Sequence, residues 1–337
     1  MKPTHQTDRY ALYHGDCLEV LPTLEAGSVQ TCVTSPPYFG LRDYGHDDQI
    51  GLEETPEQYV SNLVNVFREV RRVLADDGTL WLNLGDSYNS GGEGVSGWEQ
   101  GRQRPKGTTN SPPPPQSRVG VKSLKRKDLI GIPWRVAFAL QADGWYLRQD
   151  IIWHKPNPMP ESVTDRCTKA HEYIFLLSKS ERYYYDHEAI KEPAVSNGVD
   201  RGGGKKHAAL AEHDELFRYK ANLANIGGKT DRNKRSVWTV STKPYPEAHF
   251  ATFNPELITP CILAGAPEGG TVLDPFMGSG TTIATAVELG RKGVGIDLSY
   301  LDLSFDRVDT AARLASNAAG DFCPTPRDNP AQAALFW

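Results

Sequence analysis

The sequence predicts an α/β protein built on a doubly wound sheet, and three observations support this prediction. Short apolar runs typical of buried strands alternate with amphipathic helical segments over most of the 337 residues. One such run, residues 28–34, continues directly into the sequence Ser-Pro-Pro-Tyr at 35–38. Another, residues 271–274, is followed by a glycine-rich turn and a helical segment. Doubly wound sheets bind ligands at the carboxyl ends of their strands, so both motifs are candidate site segments.

The first part of the chain alternates strand and helix signals. Apolar residues fall on one face of the segment 56–74, which predicts an amphipathic helix, and Asp-Asp-Gly at 76–78 marks its end. The other elements expected here are a strand over 10–16, a short helix around 18–24, a strand over 28–34 and a strand over 79–84.

The later part of the chain repeats this alternation. A helix is expected over 133–142, because a proline is favourable in the first helical turn. The remaining expected elements are strands over 145–153 and 172–177, a helix over 256–264, a strand over 271–274, a helix over 281–289, a strand over 293–297 and a helix over 300–314.

Two long polar segments interrupt the alternation. Residues 87–128 are rich in Gly, Ser and basic residues and contain four consecutive prolines, which predicts a flexible inserted loop. Residues 186–240 are polar, glycine-rich and basic. The sequence therefore divides at 1–86, 87–128, 129–185, 186–240, 241–320 and a frayed tail at 321–337.

Positive charge is concentrated in the two interrupting segments. The whole chain has a net charge of −5, yet residues 102–127 carry eight Lys or Arg and no acid. Residues 201–235 carry nine basic residues against four acidic ones. Basic loops on an acidic body are the pattern expected of a protein that binds a polyanion, although basic loops can also be simply solvated.

Several functional classes are disfavoured by composition. No apolar run approaches the roughly 18 residues that a membrane span requires, and the first residues lack a signal-peptide core, so we expect a cytoplasmic protein that does not contact a membrane. The five cysteines are scattered without a C-x-x-C pair, so neither a metal site nor a disulfide framework is expected.

The glycine turn predicts a cofactor site. Gly278-Ser279-Gly280 follows a strand that ends at Asp274, and Asp297 lies about 20 residues beyond, where an acidic side chain binds ribose hydroxyls in Rossmann-like sites. Ile283 stands where a dinucleotide site has its third glycine, and Asp274 would repel a pyrophosphate. S-adenosylmethionine (SAM) has an ammonium, a ribose diol and no phosphate, which fits better than NAD or FAD. A turn without a ligand is the remaining alternative.

The Ser-Pro-Pro-Tyr segment predicts a rigid loop that binds a planar amine. Ser35 Oγ and the Pro36 carbonyl offer acceptors that would localise the lone pair of an exocyclic amine, while Pro36 and Pro37 fix the backbone. Tyr38 offers a flat face on which a base outside the helix can stack. In-line transfer of a methyl group to such an amine depends mainly on positioning.

These two motifs, in this order, resemble those of amino-group DNA methyltransferases, the SAM-dependent enzymes that form N4-methylcytosine or N6-methyladenine. The order, with the catalytic loop first, resembles the β arrangement of that family. The resemblance implies a Rossmann-like methyltransferase sheet of mixed, circularly permuted strand order, with residues 1–86 and 129–185 as the catalytic half. It further implies that residues 241–320 bind SAM, that residues 186–240 recognise the target, and that double-stranded DNA is the partner.

The resemblance also implies site residues. The catalytic residues are Ser35, Pro36, Pro37 and Tyr38. The cofactor-binding residues are Asp16, Phe250, Phe253, Asp274, Phe276, Gly278, Ser279, Gly280, Thr281, Thr282 and Asp297. Trp153-His154-Lys155 and His171-Glu172 resemble framework around the target-base pocket of relatives, and a purely structural role fits them as well. Because relatives often pair, a homodimer is an expectation.

Serine at the first motif position usually accompanies cytosine in this family, which favours N4-cytosine methylation in a restriction-modification context. N6-adenine methylation, methylation of RNA or of a glutamine amide, and a non-catalytic DNA-binding role are the alternatives. Cytosine-C5 methylation needs a nucleophilic Pro-Cys loop; Pro260-Cys261 falls within a predicted helix and is interpreted as core.

Overall fold

A computed structural model describes residues 1–41, 49–89, 121, 123–194, 231–242 and 253–319, with side chains described through residue 316 in the last helix. The chain divides into two compact units. The first comprises Met1–Tyr185 together with Ser236–Trp337, and the second comprises Asp186–Arg235. The second unit is the smaller one, and its described part is a single strand pair.

The first unit is built on a nine-stranded mixed sheet, counted over the described residues. Its strands are β1 (His5–Gln6), β2 (Tyr10–His14), β3 (Val29–Thr34), β4 (Leu74–Leu84), β5 (Tyr146–His154), β6 (His171–Ser178), β9 (Val237–Thr239), β10 (Thr271–Asp274) and β11 (Lys292–Asp297). Their spatial order is β1-β2-β11-β10-β3-β4-β6-β5-β9. The central strands β2, β11, β10, β3 and β4 are parallel, while β6 runs antiparallel to both of its neighbours.

Helices cover both faces of this sheet. They are α1 (Cys17–Val20), α2 (Pro56–Val73), α3 (Ile132–Ala142), α4 (Pro255–Gly265), α5 (Thr281–Glu288) and α6 (Leu301–Ala319). Leu80 and Leu82 of β4 belong to the same buried cluster as the apolar face of α2. The alternate residue Trp81 points to the other face, where it and Thr31 lie against Gly265 of α4. This two-sided coverage is the doubly wound arrangement that the alternating pattern predicts.

The predicted α/β fold is confirmed, with local differences. Strand β4 begins at Leu74 instead of residue 79, because the chain enters the sheet as soon as α2 ends and the pairing with β3 shifts register between Val29 and Thr31. The short strands β1 and β9 were not predicted. Each has three residues or fewer, too few to display an alternating pattern. The circularly permuted order remains a prediction.

The inserted segment leaves and re-enters the sheet unit at one point. Asn89 is buried, and its amide donates to the carbonyls of Val121, Leu124 and Lys125 and accepts from the Val121 backbone at 2.9 Å. The backbone of Asn89 also bonds with Lys127 and Asp128. The flanks of the expected 87–128 loop are therefore integrated into the fold. Residues 90–120 and 122, with most of the basic residues of this segment, lie outside the described residues.

The second unit contains a short antiparallel pair, β7 (Glu192–Pro193) with β8 (Asp231–Arg232). Glu192 Oε1 accepts from Arg232 at 2.8 Å and from Arg235 at 2.6 Å, so one carboxylate joins the two ends of the unit. Residues 195–230 lie outside the described residues, and the target-recognition role of this region remains a prediction. In the described part of the chain, every helix is too short or too polar to cross a bilayer.

Candidate active site

The two predicted motifs lie side by side at one edge of the sheet. Strand β3 leads into Ser35, and β10 leads into the glycine turn. These two strands are parallel neighbours, with Leu273 opposite Cys32. At their carboxyl ends the Thr34 hydroxyl donates to Asp274 Oδ1 at 2.7 Å. The segments are thus joined by a buried hydrogen bond as well as by the sheet.

One pocket opens between them. Its lining includes Pro37 from the first motif and Phe276 and Gly278 from the second. The other lining residues come from the turn after β2, the segment before α2, the turn after β10 and the end of β11 with the residues that follow it. They are Gly15, Asp16, Cys17, Gln49, Ile50, Pro275, Ile296, Asp297, Leu298, Ser299 and Tyr300.

Asp297 is held rigidly at the end of β11. Its Oδ1 accepts from the backbone N–H of Ser299, at 2.8 Å, and of Tyr300, while Oδ2 accepts from Gly278 at 2.9 Å. Burial raises the carboxyl pKa, and these backbone donors oppose that shift. A carboxylate has about four lone-pair sites, so Oδ2 retains capacity to accept from a ligand hydroxyl. This fits the predicted ribose contact.

Asp16 lines the same pocket as Gly278 of the glycine turn. One of its oxygens, Oδ1, accepts from the Leu18 backbone at 2.7 Å and caps α1. The preceding Gly15 donates its N–H to the Asp297 carbonyl, which joins the ends of β2 and β11. Asp16 therefore fixes the local turn as well as lining the pocket, and its predicted contact with a cofactor remains a prediction.

The position of Asp274 differs from the expectation that it holds a cationic ligand group. Its side chain is 1% exposed and does not line the pocket. Oδ1 accepts from Thr34 and from the Phe276 backbone at 3.0 Å, and Oδ2 accepts from Thr282 at 2.6 Å. Burial raises the pKa of this carboxyl to about 6, against the three hydrogen bonds that lower it. The arrangement is that of an internal brace, because both oxygens are already engaged by protein donors.

The hydroxyl residues of the glycine turn also face away from the pocket. Ser279, Thr281 and Thr282 are buried, and Arg307 of α6 donates to Ser279 Oγ at 3.1 Å and to Thr281 Oγ1 at 2.6 Å. Gly280, with φ +74°, packs against α6, where a Cβ atom would lie 3.0 Å from the Cβ of Ser304. Helix α6 covers this side of the turn, so direct contact between these side chains and a cofactor finds no support in the geometry.

The predicted aromatic residues have separate outcomes. Phe276 lines the pocket. Phe250 lies outside the described residues, and Phe253 is described but is not part of the pocket lining. Sequence reasoning missed Ile50, for which the sequence offers no signal, and the segment 298–300, whose signal was its position directly after Asp297.

The Ser-Pro-Pro-Tyr corner is braced by α2. The buried Tyr59 of that helix donates its hydroxyl to the Pro37 carbonyl at 2.9 Å. Gly51 lies so close to the corner that a Cβ atom there would be 3.2 Å from the Tyr38 carbonyl. The corner is therefore held from behind by residues of a different element.

Tyr38 is bound through its hydroxyl as well as its backbone. The phenol donates to Glu172 Oε2 at 2.7 Å and interacts with the Ser35 hydroxyl. Burial, followed by the nearby Glu172 charge, holds the pKa of Tyr38 well above its ordinary value. The side chain is therefore a neutral phenol that donates to Glu172.

The electrostatic character of the pocket favours a cofactor without phosphates. Among its lining residues, all of them described, are two carboxylates, Asp16 and Asp297, and no Lys, Arg or His. Ile50, Phe276 and Ile296 add apolar surface for a purine ring. A pyrophosphate would meet two negative charges without a compensating cation, whereas a sulfonium cation with a ribose diol suits this lining.

Other chemistries have little support among the described residues. They contain no cluster of three or more His, Cys, Asp or Glu residues able to hold a metal ion. Cys261 lies inside α4, is 1% exposed, and directs its thiol toward the Leu257 carbonyl, as expected of a core residue. The interpretation of Pro260-Cys261 as part of a helix, with a core cysteine, is thus confirmed.

Comparisons with known proteins identify the family of the chain. Residues 29–303 match the model of the N6/N4 methyltransferase family, which is described as DNA methylase. The chain is 48% identical over 299 residues to the type II methyltransferase M.Cfr9I of Citrobacter freundii, covering 88% of this chain and 87% of the relative. It is also 48% identical to the type II methyltransferase M.SmaI of Serratia marcescens, covering 87% and 89% of the two chains.

Solved structures share the fold at lower identity. The PvuII DNA methyltransferase (cytosine-N4-specific) superposes with a TM-score of 0.60 at 18% identity, over 95% of this chain and 96% of that one. A DNA modification methylase of Thermus thermophilus, solved in complex with SAM, gives a TM-score of 0.53 at 23% identity over 90% and 96%. The chain belongs to the N6/N4 DNA methyltransferase family, as a type II DNA methyltransferase that uses SAM.

Proposed function

We propose that this chain transfers a methyl group from SAM to the N4 amine of a cytosine in double-stranded DNA, after that base has left the helix. The observation that carries the proposal is the shared pocket. Pro37 of the Ser-Pro-Pro-Tyr corner and Gly278 of the glycine turn line the same cavity, and the Thr34–Asp274 hydrogen bond ties their strands together. A methyl donor and an amine can meet only where two such segments share a cleft.

The cofactor would be held mainly by fixed backbone and two carboxylates. Asp297 would accept from the ribose hydroxyls, Phe276 and Ile50 would contact the adenine, and Asp16 would accept from its amino group. When bound, SAM supplies an electrophilic methyl group on a sulfonium. Asp274 is not part of this set, because it is buried and does not line the pocket.

The chain's own contribution to the reaction is to position and polarise the amine. The lone pair of an exocyclic amine is delocalised into the ring, and hydrogen-bond acceptors placed out of the ring plane localise it. Ser35 Oγ and the Pro36 carbonyl are the proposed acceptors. The Pro37 carbonyl is less suited, since it already accepts from Tyr59. Tyr38 would stack on the base, and its neutral phenol keeps a negative charge away from the amine.

Cytosine is favoured over adenine by the serine at position 35. Family members with Asp or Asn at this place usually act on adenine, and serine usually accompanies cytosine. The structurally similar PvuII enzyme is described as cytosine-N4-specific, which agrees with this choice without deciding it. N6-adenine methylation is the alternative.

Base flipping and DNA contact are proposed from charge and chemistry. An amine inside a duplex is out of reach of a pocket at the edge of a sheet, so the nucleotide has to leave the stack. The basic segments 102–127 and 201–235 would contact phosphates. Pairing of two chains as a homodimer belongs to the same proposal and follows from the resemblance. A cytoplasmic location is also proposed, on the composition of the sequence.

Nucleoside analysis tests the proposal. Unmethylated plasmid would be incubated with the purified chain and SAM carrying a deuterated methyl group, digested to nucleosides, and examined by mass spectrometry. The label should appear in N4-methylcytosine. Label in N6-methyladenine would select the alternative, and an absence of label from all DNA nucleosides, in a protein shown by calorimetry to bind SAM, would reject DNA methylation. Sequencing the modified plasmid at single-molecule resolution would give the target site.

A further inference from the structure

Tyr38 is held by a set of contacts that the proposed chemistry does not itself require. Its hydroxyl donates to Glu172 Oε2 at 2.7 Å and accepts from Asn83 Nδ2 at 2.5 Å. Asn83 also donates to the same Glu172 oxygen at 3.1 Å. The phenol oxygen, the amide and the carboxylate therefore form a closed triangle of hydrogen bonds at the ends of β4 and β6.

Glu172 is in turn fixed by a cation. Lys155 Nζ forms an ion pair with Glu172 Oε1, and the two side chains are only 18% and 16% exposed. Lys155 directly follows β5, and its backbone N–H bonds to the Ala170 carbonyl at 2.8 Å, which ties it to the start of β6. Its ammonium also lies 4.2 Å from the ring centre of Trp153. Three neighbouring strands thus each supply one member of the group that surrounds the Tyr38 hydroxyl.

The ring of Tyr38 is confined from one side by a glycine. A Cβ atom at Gly85 would lie 2.5 Å from Cε2 and 3.0 Å from Cδ2 of that ring, which is far closer than carbon atoms approach. The ring therefore rests on bare backbone directly after β4. With the hydroxyl fixed at one end and the ring supported on one face, its orientation is determined.

An ion pair that is largely withdrawn from water is a poor means of stabilising a fold. The cost of desolvating the two charges offsets much of their attraction, and apolar replacements are often equally stable. Hydrogen bonds to a charged group are, however, shorter and more directional than neutral ones. The Lys155–Glu172 pair is therefore better explained by the orientation it imposes on Tyr38 than by its contribution to folding.

We propose that Glu172, oriented by Lys155 and Asn83, is a positioning residue that holds Tyr38 in the geometry in which it contacts the target base. This inference rests on the proposed function, because it assumes that Tyr38 meets a base. It assigns to Glu172 a role in turnover without any contact with the substrate or the cofactor. Loss of the carboxylate should consequently affect the methyl-transfer step and leave SAM binding intact.

The test compares Glu172→Gln, Tyr38→Phe and the double variant in single-turnover methylation of DNA, with SAM affinity measured by calorimetry. Each single change should lower the rate between about 10- and 100-fold, because small misplacements of contacting groups have effects of that size. The Kd for SAM should stay within about twofold of wild type, which corresponds to roughly 0.4 kcal/mol. Glu69→Gln is the matched control, since that carboxylate pairs with Arg72 on α2 away from the pocket and should keep the wild-type rate.

The double variant distinguishes positioning from general weakening. Both single changes weaken the same contact, because Phe has no hydroxyl to donate and Gln offers one acceptor oxygen where Lys155 and Tyr38 each use one. The combined loss should therefore not exceed the larger single loss. Losses that multiply, or a wild-type rate in Tyr38→Phe, would overturn the inference. Tyr38→Phe leaves the Lys155–Glu172 pair in place, so it remains informative if Glu172→Gln fails to fold. If the wild-type protein transferred no methyl group to DNA, the proposed function would fail. That outcome differs from a wild-type rate in these variants, which concerns only the inference about Glu172.

Discussion

The hydroxyl of Thr34 donates to Asp274 at 2.7 Å, and this single hydrogen bond joins two motifs that lie 240 residues apart in the chain. Asp274 also accepts hydrogen bonds from the Thr282 hydroxyl and the Phe276 backbone N–H, so the carboxylate connects β3 to the first turn of α5. Both threonines and the carboxylate are buried. The relative position of the catalytic corner and the cofactor turn therefore depends on buried hydrogen bonds. Removing one partner would leave a buried polar group unpaired, which lowers the free energy of unfolding.

Replacing either partner of this link should disturb both motifs. Thr34→Val keeps the side-chain volume and removes one donor from Asp274, which should lower the free energy of unfolding by about 1–3 kcal/mol. Asp274→Asn retains the shape and replaces one acceptor oxygen with a donor. In a double-mutant cycle measured by urea unfolding, the two changes should be strongly non-additive. Thr310→Val is the control, because Thr310 is exposed and its hydroxyl donates to the Asp306 carbonyl of the same helix. Additive effects would show that the link is energetically negligible.

The pKa of Asp274 gives the stability of the protein a defined pH dependence. Burial raises this pKa from 3.8 to about 6. Below about pH 4 the carboxyl is protonated in both the folded and unfolded states, and above about pH 6 it is ionised in both. Between these limits the folded state binds more protons, so this group's contribution to the free energy of unfolding falls as the pH rises.

The amide in Asp274→Asn does not titrate, so the free energy of unfolding of this variant should lack the decrease with pH that the Asp274 carboxyl causes. The unfolding free energy of the variant relative to wild type should therefore rise across the same window, by up to roughly 3 kcal/mol at about 1.4 kcal/mol per unit of pKa shift. Urea titrations of both proteins between pH 4 and about 7 would measure the difference. A difference that is constant with pH would mean that Asp274 titrates near its ordinary value in the folded protein.

Asp297 should control cofactor affinity without controlling the fold. Asp297→Asn retains one acceptor and leaves a backbone N–H of Gly278 or Ser299 without a partner, which should weaken SAM binding by about 10- to 100-fold. Calorimetry measures this directly. Asp302→Asn, an exposed change in the first turn of α6, should bind SAM as wild type does. Equal affinities in the two variants would remove Asp297 from the proposed cofactor site.

Position 85 should not tolerate a side chain, because a Cβ atom there would clash with the Tyr38 ring, and a double variant can test this cause. The Cβ atom of Gly85→Ala would meet the ring of Tyr38, so the ring has to move and turnover should drop at least about tenfold with little change in SAM affinity. In the background Tyr38→Ala, the alanine at 85 meets no ring, and its effect on thermal stability should largely disappear. If the cost of Gly85→Ala were the same in both backgrounds, backbone conformation and not the ring would be its cause.

The anchoring of the inserted segment at Asn89 predicts that the segment can be shortened. Replacing residues 92–119 with a short Gly-Ser linker keeps Asn89 and Val121, whose mutual hydrogen bonds close the loop. SAM affinity should be unchanged. DNA affinity should decrease, and the slope of log K against log salt should flatten by about 0.9 for each phosphate that the protein no longer binds.

A full-length variant separates the effect of lost charge from the effect of a shorter segment. In it, Arg102, Arg104, Lys106 and Arg118 are changed to Gln. It should reproduce the flatter salt dependence of the shortened protein. DNA affinity equal to wild type in both proteins would leave the segment with a spacer role.

The sequence was most informative where periodicity and turn chemistry agreed. The helix Pro56–Val73 combines a continuous apolar face with a Thr55 cap and a proline at its start, and its bounds differ from the expectation by one residue. Strand β10 was predicted at its observed bounds, because the Asp-Pro and Gly-x-Gly sequences punctuate its end. The paired position of the two motifs followed from the rule that parallel strands share a carboxyl edge.

The orientation of individual side chains was harder to predict from the sequence. Nothing in the local sequence shows that Thr34 would satisfy Asp274, because the two residues meet only in the folded sheet. Similarly, the side of the glycine turn that faces the pocket is decided by Arg307 and α6, which cover Ser279 and Thr281. The sequence places Glu172 in the framework of the target pocket, but its bond to Tyr38 depends on the strand order β3-β4-β6, which the local sequence does not show.

The most direct test of the central claim measures catalysis and cofactor binding in the same variant of the catalytic corner. Ser35→Ala should lower the single-turnover rate of DNA methylation by about 100-fold or more, a loss comparable to removing one preorganised polar contact at a reacting group. Its Kd for SAM should remain near that of wild type, and Ser28→Ala, an exposed serine that bonds locally to Glu25, should behave as wild type in both assays. An unchanged rate in Ser35→Ala would contradict the assignment of this corner as the place where the amine receives the methyl group.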